Sequence, residues 1–196
     1  DLDAPADGII IGSGLIDGRP AAILSHDYTV LGGSTGRHGS YKANRGITKA
    51  TDDGVPLVAL LEGGGHRIQD GQDSRHFASG SPIFQYLARN SGWVPQAMAM
   101  LGQGFAGPTN YAALADFVVM VRGQATMGMA GPALVKAGLG EDISKEDLGG
   151  AQAYDVYPRE LPDLFSGTQL IVMGRYKGRG QQSVKLSGMA GGQQRA

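Results

Sequence analysis

Two apolar runs in this chain stop against clusters of glycine, and no other feature narrows its possible folds as much. Residues 57–61, LVALL, lead through Glu62 into Gly63-Gly64-Gly65, and residues 97–101, AMAML, lead into Gly102-Gln103-Gly104-Phe105-Ala106-Gly107. A short continuous apolar run reads as a strand covered on both faces. Glycine at its end permits tight turns and lets a ligand or another backbone come close. Glycine accounts for 33 of 196 residues without a collagen-like period, and the 41% hydrophobic content is too high for a disordered chain. The glycines therefore punctuate a packed core.

The rest of the chain supplies elements to set around those runs. Gly8–Ile16 and Pro20–Ser25 are β-rich and flank the turn signal Asp17-Gly18-Arg19-Pro20, which predicts a hairpin. Residues 40–54 predict a helix with a thin apolar stripe of Ala43, Ile47 and Ala50, interrupted by Gly46. Residues 81–92 form a better helix, with Ser81 as its cap, Pro82 in its first turn, and Ile83 and Leu87 on one face. Residues 94–102 predict a strand ending in Gly102. A helix at 109–115, strands at 116–123 and 125–130, and a helix opening near Pro132 complete the alternation. Strand, helix, strand in succession is the pattern of a layered α/β domain.

Bulk properties exclude some functions. A formal net charge of −1 argues against a general nucleic-acid binder. No stretch reaches the roughly 18 apolar residues that span a bilayer, and the first residues, DLDAPADG, lack the features of a signal peptide. The absence of cysteine rules out disulfides and thiolate metal sites and agrees with a cytoplasmic location. The chain does not begin with Met, which reads as a fragment or a processed product.

The chemistry suggested by the residues is mostly backbone chemistry. Amides exposed at two glycine-rich strand ends can converge on one developing oxyanion, although glycine also ends strands for no functional reason. GSGLIDG, residues 12–18, has the wrong spacing for a dinucleotide fingerprint and leads into a hairpin. His66, Asp70 and Asp73 fall near one helical face, with His76 following, and form the best metal candidate. A solvated polar stretch has the same composition, and no metal site is expected. No Ser-His-Asp spacing stands out.

Five stretches occur in family order over three-quarters of the chain: DGIIIGSGLIDGRP, DYTVLGGSTG, GGGHRIQDG, SGWVPQAMAMLGQGFAGPTNYAALADFVVMV and MGMAGPALVKAGLGEDISKEDLGGA. Together they resemble the N-terminal half of the carboxyltransferase component of biotin-dependent acyl-CoA carboxylases. The resemblance implies a crotonase-like α/β fold built from ββα repeats, here incomplete, over residues 1–154. It implies an acyl-CoA substrate whose thioester enolate is held by backbone amides. Matched by position, those of Gly64 and Gly65 belong to the first loop, and those of Ala106 and Gly107 to the second. Gly32, Gly33 and Ser34 match a segment expected to contact CoA. Biotin enters as carboxybiotin on a carrier protein, chiefly against the C-terminal half of the family. The implied partners are the biotin carboxyl carrier and biotin carboxylase components and further copies of the chain. His66 stands where Ala is usual, and Pro108, which has no N–H, stands where another small residue is usual.

Residues 155–188 resemble instead the β-rich segment that follows the von Willebrand A domain in inter-α-trypsin inhibitor heavy-chain-like proteins. They predict a short β-hairpin extension, with 189–196 as a disordered tail. The expectation is a carboxyltransferase-like domain that binds acyl-CoA and is inactive alone. Two alternatives compete with it: another CoA-thioester enzyme, such as a hydrolase or decarboxylase, and a non-catalytic assembly module acting through the C-terminal β segment.

Overall fold

The computed structural model describes residues 3–72 and 82–151, together with four short strands at 156–157, 173–174, 188–190 and 193–195. The chain opens with a 3-10 turn, Pro5–Gly8, and the hairpin of β1 (Ile9–Ile16) and β2 (Arg19–His26). Its register runs from Ile9↔His26 to Ile16↔Arg19, leaving Asp17 and Gly18 as a two-residue turn with φ of 49° and 75°. Positive φ at both central residues is what a twisted hairpin requires, and Asp-Gly provides it.

A second 3-10 turn, Leu31–Gly33, leads into helix α1 (Arg37–Asp53). Strand β3 (Leu57–Gly63) then pairs parallel to β2, and β4 (Gln96–Phe105) pairs parallel to β3. Between them lie the short helix α2 (Ile68–Gly71) and helix α3 (Ile83–Asn90). Helix α4 (Gly107–Ala113) follows β4 directly. Strands β5 (Phe117–Met120) and β6 (Thr126–Gly128) both pair parallel to β4, β5 along its first half and β6 at its end. Helices α5 (Pro132–Leu139) and α6 (Lys145–Gly149) finish this part of the chain.

One sheet face holds the core. Leu24, Leu57, Leu61, Met98 and Met100 meet Ala43 and Ile47 of α1, Ile83 and Leu87 of α3, and Ala112 of α4. Other apolar residues of the sheet are more exposed, with Ile10 of β1, Leu101 of β4, and Phe117 and Val119 of β5 between 38% and 63% accessible.

Three elements differ from expectation, each for a packing reason. Helix α1 is longer than predicted, because its buried stripe is Gly39, Ala43, Gly46, Ile47 and Ala50. A Cβ on Gly46 would lie 2.9 Å from Cγ2 of Ile11, so the glycine that interrupts the apolar pattern is what lets the helix settle on β1. Strand β4 does not end at Gly102 but runs to Phe105, held by pairing with β6 from Gln103↔Thr126 to Phe105↔Gly128. Pro82 sits at the cap position of α3, one residue before the first helical residue; Ser81 lies outside the described residues.

Beyond residue 151, strand β7 (Val156–Tyr157) pairs antiparallel with β8 (Met173–Gly174). The remainder of the expected hairpin lies outside the described residues. Within the expected tail, β9 (Gly188–Ala190) pairs antiparallel with β10 (Gln193–Arg195). Gly191-Gly192 between them is a hairpin signal that the reading of 189–196 as disordered passed over.

Candidate active site

The first glycine loop leaves β3 through a backbone contact that no side chain could occupy. Gly63 and Gly33 lie face to face: a Cβ on Gly33 would be 2.7 Å from the Glu62 carbonyl oxygen and 2.9 Å from the Gly63 Cα. Their φ values, 133° at Gly63 and 66° at Gly33, independently demand glycine. Gly65 follows with φ 87° and is buried, whereas Gly64 is exposed.

The loop is then tied to the start of α1. The Thr35 N–H donates to the Gly65 carbonyl at 2.7 Å, and the Arg67 N–H donates to the Thr35 carbonyl at 2.9 Å. The Arg67 side chain, only 5% exposed, donates to the Ser34 carbonyl at 2.9 Å and the Ser34 hydroxyl at 3.2 Å, and pairs with the Asp7 carboxylate. Asp7 Oδ2 accepts the Gly39 N–H at 2.6 Å. Behind β3, His26 Nδ1 lies 2.7 Å from the Glu62 carbonyl. A carbonyl only accepts, so Nδ1 carries the proton and Nε2 is a buried acceptor with no partner among the described residues. Burial pulls the His26 pKa below its usual value, and the bond to Glu62 opposes that pull.

The second loop is organised without charges. The Thr109 hydroxyl donates to the Gly104 carbonyl at 2.7 Å and accepts the Gly128 N–H at 2.9 Å. Ala106 has φ 55° and ψ −107°, a strained conformation for a residue with a Cβ. Its N–H donates to the Gly128 carbonyl at 2.9 Å.

The two loops touch. A Cβ on Gly65 would lie 3.1 Å from the Ala106 Cβ and 3.4 Å from the Gly107 nitrogen. Among the described residues, no hydrogen bond uses the N–H of Gly65 or of Gly107. Both residues line a cleft of about 530 Å³. The start of α1 supplies Thr35, Arg37, Ser40, Tyr41 and Asn44 to its wall; His66, Ile83, Phe84, Ala106, Asn110 and Tyr111 complete it. The Asn44 Oδ1 is buried there without a hydrogen bond among the described residues. Burial pushes the Tyr111 phenol well above its usual pKa, so it stays protonated.

Of the residues expected to act, Gly65, Ala106 and Gly107 therefore meet at one cleft, while Gly64 lies beside it. Ala106 spends its N–H inside the fold, which leaves Gly107 as the unpaired amide of the second loop. Gly33 and Ser34 are engaged in packing and in holding Arg67, and the cleft is lined by Thr35 and Arg37 instead. Within the metal candidate, Asp70 pairs with Arg67 at 3.3 Å, and Asp73 and His76 lie outside the described residues. Asp7, His26, Arg67 and Tyr111 escaped the sequence. Asp7 and Arg67 stand 60 positions apart, and nothing local marks either as buried.

This architecture is that of the crotonase-like carboxyltransferases. The crystal structure of transcarboxylase 12S with methylmalonyl-coenzyme A and methylmalonic acid bound matches with a TM-score of 0.68 at 36% identity, over 74% of this chain and 28% of that one. The chain belongs to the carboxyl transferase domain family, which it matches over residues 1–156. It is 37% identical over 150 residues to the carboxyltransferase subunit of propionyl-CoA carboxylase from Haloferax mediterranei, covering 76% of this chain and 29% of that protein. It is 38% identical over 150 residues to the methylmalonyl-CoA carboxyltransferase 12S subunit of Propionibacterium freudenreichii subsp. shermanii, covering 76% and 28%. The chain thus spans under a third of the length of these relatives. Among the described residues, no helix is long and apolar enough to cross a membrane.

Proposed function

We propose that this chain carries the acyl-CoA-binding part of a biotin-dependent acyl-CoA carboxyltransferase. The observation that carries the reading is the meeting of two unpaired amides, those of Gly65 and Gly107, in one cleft. An acyl thioester that loses its α-proton places negative charge on its carbonyl oxygen, and two amide donors stabilise that charge. The carbanion form of the enolate then attacks CO2. The cleft suits such a ligand: Ile83, Phe84 and Tyr111 provide apolar wall for an acyl group, and Thr35, Arg37 and Ser40 provide polar contacts for the CoA moiety. This moves the expected CoA contact a few residues on from Gly32–Ser34.

Biotin, as carboxybiotin on a carrier, would supply the carboxyl group as CO2, and the biotin anion left behind would take up the α-proton that the acyl group loses. The cleft has one convergent pair of bare amides, and the thioester oxygen takes it. No residue of this chain is assigned to biotin. The carrier and the biotin carboxylase component are accordingly partners of the whole assembly, as are further copies of the chain, and the chain is expected to be inactive alone. The alternative of an assembly module rests on residues 155–188, most of which lie outside those described.

Calorimetric titration of the chain with acetyl-CoA, propionyl-CoA and free CoA tests the reading. Saturable binding that is tighter for an acyl-CoA than for free CoA is the expected result. Equal affinity for all three, or no binding by folded protein, overturns it.

A further inference from the structure

We infer that the buried Asp7–Arg67 pair is a positioning device for the Gly65 amide, an inference that rests on the function proposed above. The pair ties together two of the segments that line the cleft. Arg67 follows the first glycine loop by two residues, and Asp7 precedes β1. One wall contains Gly65 and His66; the other contains Thr35, Arg37 and Ser40. The guanidinium joins them by donating to both the carbonyl and the hydroxyl of Ser34. Asp7 receives the guanidinium on Oδ1 and the Gly39 N–H on Oδ2, fixing the first turn of α1 to the same centre.

The geometry leaves the loop little freedom. Thr35 bonds the carbonyl of Gly65 and receives the N–H of Arg67, so the peptide groups on either side of His66 are clamped to one residue. Thr35 is next in sequence to Ser34, which the guanidinium holds. The Gly65 N–H belongs to the preceding peptide group, and the ladder fixes the Gly65 carbonyl and Cα from which that N–H is aimed. The pair also sits where nothing else fits: a Cβ on Gly36 would collide with the Arg67 guanidinium and the Asp7 carboxylate, and one on Gly39 would lie 2.8 Å from the Asp7 carbonyl oxygen. Two charges 5% and 9% exposed are expensive to bury, and a forked guanidinium binding Ser34, Asp7 and Asp70 at once gives directional hold that a point charge does not. Neither side chain lines the cleft, so the pair acts through the backbone and touches no reacting atom.

The test compares propionyl-CoA with S-propyl-CoA, a thioether that has no carbonyl oxygen. One well-placed neutral hydrogen bond corresponds to about a 2- to 10-fold difference in affinity. In the full chain, propionyl-CoA should bind tighter than the thioether by about that factor. In Arg67→Lys and Asp7→Asn the preference should fall to about one, with thioether affinity held within roughly twofold. Lys49→Gln, which breaks the exposed Lys49–Asp53 pair, should keep the preference. Retained preference in both variants overturns the inference. So does equal weakening of both ligands, which marks a merely structural pair. Absence of any preference in the unmodified chain overturns the proposed function, and the inference falls with it. Amide hydrogen exchange gives a ligand-free readout: in Arg67→Lys the amides of Thr35 and of residue 67 should exchange about tenfold faster while Ala59 in β3 holds its rate. Uniform acceleration across all three overturns the inference.

Discussion

The two glycine loops each bring one glycine, Gly65 and Gly107, to the lining of the same cleft, yet they are held by different physics. The first is supported by ionisable groups: the Arg67–Asp7 pair, and His26 behind the Glu62 carbonyl. The second is supported by neutral groups, Thr109 and the backbone of Gly128, and carries its strain at Ala106. At the first loop, glycine at φ 87° takes the required conformation freely. At the second, alanine takes a costly one because its N–H is bonded to β6 and its carbonyl to the first turn of α4. A bare amide can therefore be aimed either by a residue that tolerates the geometry or by surroundings that enforce it. The first solution rests on ionisable groups, the second on stored strain.

The largest expected effect tests whether the loops share one task. In a complete carboxyltransferase carrying this segment, Gly107→Pro removes the second-loop N–H at a position where the helix start tolerates proline. Turnover should fall by about 10²–10³, as for an oxyanion donor generally. Unchanged turnover would show that the second loop contributes no donor and would break the symmetry of the comparison.

A smaller effect probes the titratable side. Because the folded pKa of His26 lies below its unfolded value of about 6.5, the unfolded chain binds the extra proton in the window just below pH 6.5. The stability associated with neutral His26 is complete above that window. It declines as pH falls toward the folded pKa, by at most about 1.4 kcal/mol per pH unit. Urea unfolding of the wild type and of His26→Gln at several pH values should show this component of the slope disappearing in the variant. An identical slope in both would sever His26 from the first loop's pH dependence.

The smallest effect concerns the stored strain. Ala106→Gly relieves a conformation worth about 1–3 kcal/mol and adds about 0.5–1 kcal/mol of chain entropy to overcome, so a net gain of about 1 kcal/mol in unfolding free energy is expected. Acyl-CoA affinity should hold, because the Ala106 N–H faces Gly128. A loss of stability would mean that the alanine methyl, in contact with Gly65, matters more than its backbone.

What could be read in advance follows from how locally each feature is encoded. Asp17-Gly18 fixes its turn with two residues, and the runs at 57–61 and 97–101 declare themselves by composition; all three appear in the structure as expected. The extent of α1 was hidden because glycine supplies part of its buried stripe, and glycine carries no hydrophobic signal. Strand β4 was cut short because its last residues are strand only through pairing with β6, a partner some 23 positions away. The convergence of Gly65 and Gly107 could be anticipated from two similar strand ends and a family resemblance. That Ala106 uses its own N–H, and that Asp7 reaches Arg67, depends on three-dimensional placement and leaves no periodic trace.

The facing glycines 33 and 63 have a further consequence, for how this chain can change over generations. Most tight contacts can drift, since an enlargement on one side is offset by a reduction on the other. Here both partners are already the smallest residue available, each occupying the space a side chain on the other would need. No second-site change between these two can repair a first one. Variation in the sequence has to flow around this pair, leaving the entry to the first loop fixed while its neighbours diverge.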